Sequence, residues 1–146
     1  MIKSEKYRLH LIISLLTIMV ICGCRRQPDN YVPNVSVNIT LYPGNPQYFR
    51  LNAIGGVMTI SGGVRGIIVY RKSQTDFVAL DRNCSVNSSN ACAVVEVDSS
   101  TNVYAFCRCC NSQFILTDGS VSRAPATLPL KSYFTSFDGN ALVISN

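Results

Sequence analysis

Beyond residue 34, apolar and polar positions alternate with a period of two, and β-branched residues dominate the apolar set. Residues 35–42 (VSVNITLY) predict a first strand, which Pro43-Gly44-Asn45-Pro46 breaks. Residues 48–53 are expected to pack across the domain. Val57–Ile60 predicts a short strand between the pairs Gly55-Gly56 and Gly62-Gly63. Ile67–Arg71 opens on an unbroken apolar run and predicts a central strand. A turn over residues 72–76 returns the chain as Phe77–Asp81, which gives a hairpin. Residues 93–97 and 103–106 predict a second hairpin around 98–102. Residues 113–116 form another short strand, with a turn at Asp118-Gly119. Ser132–Phe137 and residues 141–145 predict a third hairpin around Asp138-Gly139-Asn140. No sustained helical period occurs in this region. The fold expected is all-β, a small antiparallel sandwich or barrel. About 110 residues suffice for one modest core.

The first 23 residues follow a different rule. Lys3, Lys6 and Arg8 precede an apolar run over residues 11–22, which is short of the roughly 20 apolar residues a spanning helix needs. This is the layout of a secretory signal. Ile21-Cys22-Gly23-Cys24 resembles the bacterial lipobox, which implies removal of residues 1–23 and a lipid on Cys24. The lipid would tether the domain to a membrane surface of the bacterial cell envelope, inner or outer, and not through it. Residues 24–35 then serve as anchor and linker, with Pro28 and Pro33 favouring an extended chain, and residues 36–146 form the β domain.

The whole chain carries 13 Lys and Arg against 8 Asp and Glu. Three of those bases and one acid, Glu5, leave with the signal, so ten against seven remain, or +3. The remaining bases are scattered without a stripe, which argues against a nucleic-acid partner. The only histidine, His10, lies in the signal. The mature domain therefore has no imidazole base, no paired carboxylates lie near its cysteines, and no catalytic site is expected.

Chemistry concentrates in Cys107-Arg108-Cys109-Cys110-Asn111-Ser112-Gln113-Phe114. Thiolates are soft ligands that suit zinc and iron–sulfur centres. The C-x-x-C pair Cys107 and Cys110 has the spacing to close on one metal, while the adjacent Cys109 needs another role. With Cys22 removed and Cys24 capped, five of the seven cysteines remain: Cys84, Cys92, Cys107, Cys109 and Cys110. An odd count leaves at least one thiol outside any intrachain disulfide. An oxidising envelope favours disulfides, so one disulfide plus three thiols fits the count better than two disulfides and an orphan. Cys84 and Cys107 follow successive hairpins, so their loops should emerge at one end of the domain.

The stretch Cys107-x-Cys109-Cys110-Asn111-Ser112-x-Phe114 resembles the second metal loop of Rieske iron–sulfur proteins, C-x-C-H-G-S-x-F. Cys84-Ser85-Val86 stands where the first loop, C-x-H, is expected. Arg123-Ala124-Pro125-Ala126 through Pro129-Leu130, followed by Tyr133, is similar to the proline-rich loop that covers the cluster. The resemblance implies a Rieske-like β domain with Cys84 and Cys107 as metal ligands, Cys110 in a histidine position, and Ser112 donating a hydrogen bond to a cluster sulfur. It also implies a disulfide between Cys92 and Cys109, with Cys92 as the fourth ligand where that bridge is absent.

The departures change the chemistry. A Rieske [2Fe–2S] centre uses two cysteines and two histidines. Here the histidine positions hold Val86 and Cys110, and Val86 cannot bind metal. Iron with all-thiolate ligation would carry more negative charge, with a potential near the ferredoxin range of about −400 mV, and would transfer single electrons to or from a redox partner protein. Zinc is less favoured, because Cys84 and Cys92 are too far apart for a second zinc knuckle. The alternative is a cluster-free, disulfide-stabilised scaffold acting as an envelope binding or structural module.

Overall fold

The computed structural model describes residues 32–146. The expected signal, the lipid site at Cys24 and most of the linker lie outside the described residues. Ten strands run in the order β1 (Asn38–Leu41), β2 (Val57–Ile60), β3 (Ile67–Arg71), β4 (Phe77–Asp81), β5 (Val95–Val97), β6 (Tyr104–Cys107), β7 (Gln113–Ile115), β8 (Val121–Arg123), β9 (Ser132–Phe137) and β10 (Leu142–Ser145). They form two antiparallel sheets, one of six strands ordered β1-β10-β9-β4-β3-β2 and one of four ordered β5-β6-β7-β8. The all-β architecture is the one the period-two pattern predicts. Among the described residues no helix is long and apolar enough to cross a membrane.

The three expected hairpins form. β3 pairs with β4 through Ile67↔Asp81, β5 with β6 through Val95↔Cys107, and β9 with β10 through Phe137↔Leu142. Residues 48–53 lie partly in a 3₁₀ helix, Pro46–Leu51, with Pro46 in its first turn. Proline has no N–H to lose there, and its fixed φ suits a helix start. Strand β8 was not expected. It has three residues, two of them exposed, and is too short to display a period.

Alternation along β3 and β4 feeds two cores. Ile68 and Leu80 join Val57, Val95, Ala105, Phe114, Leu116 and Leu130 in a cluster that spans both sheets. Ile67, Val69, Phe77 and Ala79 join Val37, Leu41, Leu51, Tyr133, Leu142 and Ile144 in a second. The expected single core is thus divided, because a strand buried on both faces sends successive side chains into different layers. The unbroken apolar start of β3 is the sequence signature of that position.

Asp81, at the end of β4, is fully buried. Its Oδ2 accepts from the Val64 N–H at 2.7 Å and the Tyr133 hydroxyl at 2.6 Å, and its Oδ1 from the Arg65 N–H at 3.3 Å and the Asn83 N–H at 2.7 Å. Burial, then the Asp81 hydrogen bond and its charge, push the Tyr133 phenol up from its ordinary pKa. Gly63 lets the turn close on this carboxyl: φ is +60°, and a Cβ there would lie 2.5 Å from Asp81 Oδ2. At the same end of the large sheet, where the Asp81 N–H donates to the Lys131 carbonyl, the side chain of Asn146 accepts from the Val37 N–H and donates to Asn34 and Val35. Lys131 donates to the Pro33 carbonyl and to Asn34. The chain just before β1 is thereby held against the domain.

Asp81→Ala leaves a buried phenol and buried N–H groups without partners. We expect it to lower unfolding free energy by about 3 kcal/mol, against about 1 kcal/mol for Tyr133→Phe, in urea titrations of the two variants. Equal losses would show that the carboxyl does not organise this corner.

Candidate metal centre

Two loops build the site. The first, between β4 and β5, is fastened by Cys84 N–H to the Ala93 carbonyl at 2.9 Å and by an Asn83↔Val94 bridge. The second is the tight turn from Cys107 to Ser112. The Cys107 N–H donates to the Ser112 carbonyl at 2.8 Å, and the Asn111 N–H to the Cys107 carbonyl at 2.9 Å. Asn111, which stands where the Rieske motif has glycine, adopts φ 58°, a left-handed conformation that asparagine tolerates. The two loops share one end of the small sheet, as their positions after successive hairpins predict.

The arrangement divides the five cysteines into a pair and a trio. Cys92 and Cys109 form a disulfide with Cα atoms 5.4 Å apart, linking the two loops. Cys84, Cys107 and Cys110 are free. Their sulfurs all lie within 4.8 Å of one another, and Cys84 Sγ is 3.8 Å from Cys110 Sγ. Cys84 and Cys107 are fully buried, and Cys110 is half-buried. Val86 packs against the apolar core beside them. Cys92, the residue considered for a fourth ligand, is committed to the disulfide.

The loop after β8 closes over the site. Ser112 Oγ accepts from the Ala126 N–H at 2.8 Å, and Ser85 Oγ donates to the Leu128 carbonyl at 2.7 Å. The proline-rich segment is therefore tied to both cysteine loops. The Arg123 guanidinium donates to the Asn111 carbonyl at 2.9 Å, which brings a positive charge to the turn that carries Cys110. Ser85 and the Ala126 N–H were not singled out from the sequence. The first directly follows Cys84, but nothing in the spacing points to its distant carbonyl partner.

The three thiols are not equivalent. Burial drives the Cys84 thiol well above its ordinary pKa, with Cys107 adding to the rise and the charge of Cys110 contributing less. Partial burial also pushes Cys110 up. Hydrogen bonds from the Ser112 hydroxyl and backbone, then from Cys107 and Cys84, outweigh it and leave Cys110 below the ordinary thiol range. Cys110 Sγ lies 3.1 Å from Ser112 Oγ. Ser112 thus reaches a thiol and the covering loop at once.

These residues can be tested against the [2Fe–2S] group that the resemblance implies. Such a cluster needs two ligands on each of two irons. Cys84 and Cys107 match one pair, but the other position pair offers Cys110 and the apolar Val86. Among the described residues, the two remaining cysteine sulfurs are bonded to each other. Sulfurs on different irons must also stand farther apart than sulfurs that share one, and this trio is gathered about a single point. The donor set does not fit a two-iron cluster.

No family model matches the chain, and no curated protein matches it. Among solved structures it is similar to the ferredoxin of carbazole 1,9a-dioxygenase from Nocardioides aromaticivorans IC177, at 16% identity and a TM-score of 0.45, covering 64% of this chain and 86% of that one. A superposition this loose carries no argument about cofactor or activity.

Exposure and charge together predict the order of thiol alkylation. Near neutral pH, iodoacetamide should label Cys110 before Cys84 and Cys107, because the thiolate is the nucleophile and its fraction rises as the pKa falls. Ser112→Ala removes the strongest hydrogen bond that lowers Cys110. The midpoint of its pH–rate profile, followed by peptide mass mapping, should move up and its neutral-pH rate should drop. An unmoved midpoint would remove Ser112 from this role.

Proposed function

We propose that this chain is a lipid-anchored, Rieske-like envelope protein whose cluster site has become a cluster-free thiol module. The observation that carries this reading is the donor set itself: three converging sulfurs, valine at one ligand position, and the remaining two cysteines bonded to each other. The motif order of the two cysteine loops and the proline-rich loop supports descent from a Rieske scaffold. Lipid on Cys24 would hold the domain at a membrane surface of the cell envelope, with Arg25 and Arg26 beside the anchor. The cysteine-bearing tip, with its covering loop, is then the binding end. One-electron transfer through a [2Fe–2S] cluster is the second reading, favoured by the matching positions of Cys84, Cys107 and Ser112.

Iron and acid-labile sulfide analysis separates the two. Full-length protein purified without oxygen should be colourless and contain neither, also after cluster reconstitution. Near-stoichiometric iron and sulfide, lost in Cys107→Ser, would overturn the cluster-free reading in favour of electron transfer. The anchor has its own check. Cells fed labelled palmitate should label the wild-type chain and not Cys24→Ala, and equal labelling of both would rule out a lipid at this position.

A further inference from the structure

The geometry points to a mononuclear site: Cys84, Cys107 and Cys110 bind one divalent, thiophilic cation of the zinc and cadmium class. The inference rests on the cluster-free reading and names the ligand of that same site. At a metal–sulfur distance of about 2.3 Å, two thiolates on one tetrahedral ion stand about 3.8 Å apart. Cys84 and Cys110 already hold that separation, at 3.8 Å, and all three sulfurs lie within 4.8 Å of one another. The closing movement left to the protein is small.

The ligands come from two loops that are fixed independently of any ion. Cys107 and Cys110 belong to one hydrogen-bonded turn, and Cys84 is fastened through its N–H to Ala93. The disulfide Cys92–Cys109 ties those loops together just outside the trio. Sulfur-only donors select soft ions over magnesium or calcium, which require oxygen. Charge then favours a divalent ion over a monovalent one. Three thiolates with a divalent ion sum to −1, and with a monovalent ion to −2, in a pocket where two of the sulfurs are fully buried. Up to three thiol protons leave as the three metal–sulfur bonds form, and no electron moves.

Cadmium is the probe, because sulfur-to-cadmium charge transfer reports the sulfurs directly. Mature lipidated protein in detergent, isolated without oxygen, should bind one equivalent of Cd²⁺ with a new ultraviolet band, and Zn²⁺ should displace it. Cys84→Ser, Cys107→Ser and Cys110→Ser should each remove about one third of the band and weaken binding by about tenfold or more, since even loss of an outer-shell partner costs 10–100-fold. X-ray absorption of the unmodified protein should count three sulfurs per cadmium, so the test stands if a variant fails to fold. Absence of a band in protein with three titratable thiols would overturn the mononuclear site and leave the cluster-free reading intact. A Cys84–Cys110 disulfide in the isolated protein would also overturn it. Stoichiometric iron and sulfide would overturn both.

Discussion

A single buried carboxyl fixes where the first cysteine loop begins. Asp81 ends β4, and its two oxygens gather donors from the turn after β2, from β9 and from the residue before Cys84. Three of those four donors are backbone N–H groups, which would otherwise be buried without partners. The carboxyl thus substitutes for the ladder that the sheet cannot continue there. It also determines the direction in which the first cysteine loop leaves the large sheet. Cys84 lies three residues on, pinned by its own N–H to Ala93. Position at the site is therefore inherited from a packed corner and not from flexible loops.

The pinning is reinforced from outside. The proline-rich segment touches both cysteine loops through side-chain hydroxyls, Ser85 to the Leu128 carbonyl and Ser112 from the Ala126 N–H. Each bond joins backbone that has no strand partner to a residue adjoining the thiol cluster. Ser112 is the more consequential of the two, because its oxygen also meets Cys110. A shift of the covering loop would alter the hydrogen bonding of the most accessible thiol, and so its reactivity.

Much of the fold was legible because strands leave a strong period. The three hairpins and the central place of β3 followed from alternation and from the Gly, Asn and Asp turns. What the pattern could not supply were features set by tertiary contacts. Strand β8 is only three residues long and mostly exposed, so its pairing with β7 depends on neighbours and not on its own sequence. Asp81 reads as an ordinary strand-end residue, because three of its four donors come from sequence-distant elements. At the site, the separation of the cysteines into a bonded pair and a free trio was foreshadowed by an odd count and by the motif. The closeness of the three sulfurs was not, since it depends on how two loops are fastened.

That fastening bears on what the site is for. A structural zinc or iron centre usually supplies the folding energy of the loops that bind it, and the apo form is disordered. Here the loops are closed by a covalent bridge across 17 residues, which in the chain-entropy account contributes about 3 kcal/mol, together with hydrogen bonds that involve no metal. The bridge and the backbone hydrogen bonds of the two loops do not run through the three thiols. Burial instead holds the Cys84 thiol in its neutral form, because desolvation disfavours the thiolate. A trio of thiols that takes no part in fastening its own loops suits a site that takes up and releases its ligand. On the mononuclear proposal, the half-buried Cys110, the most exposed of the three thiols, is the first sulfur an incoming ion would meet. Cys84 and Cys107 complete the site from within.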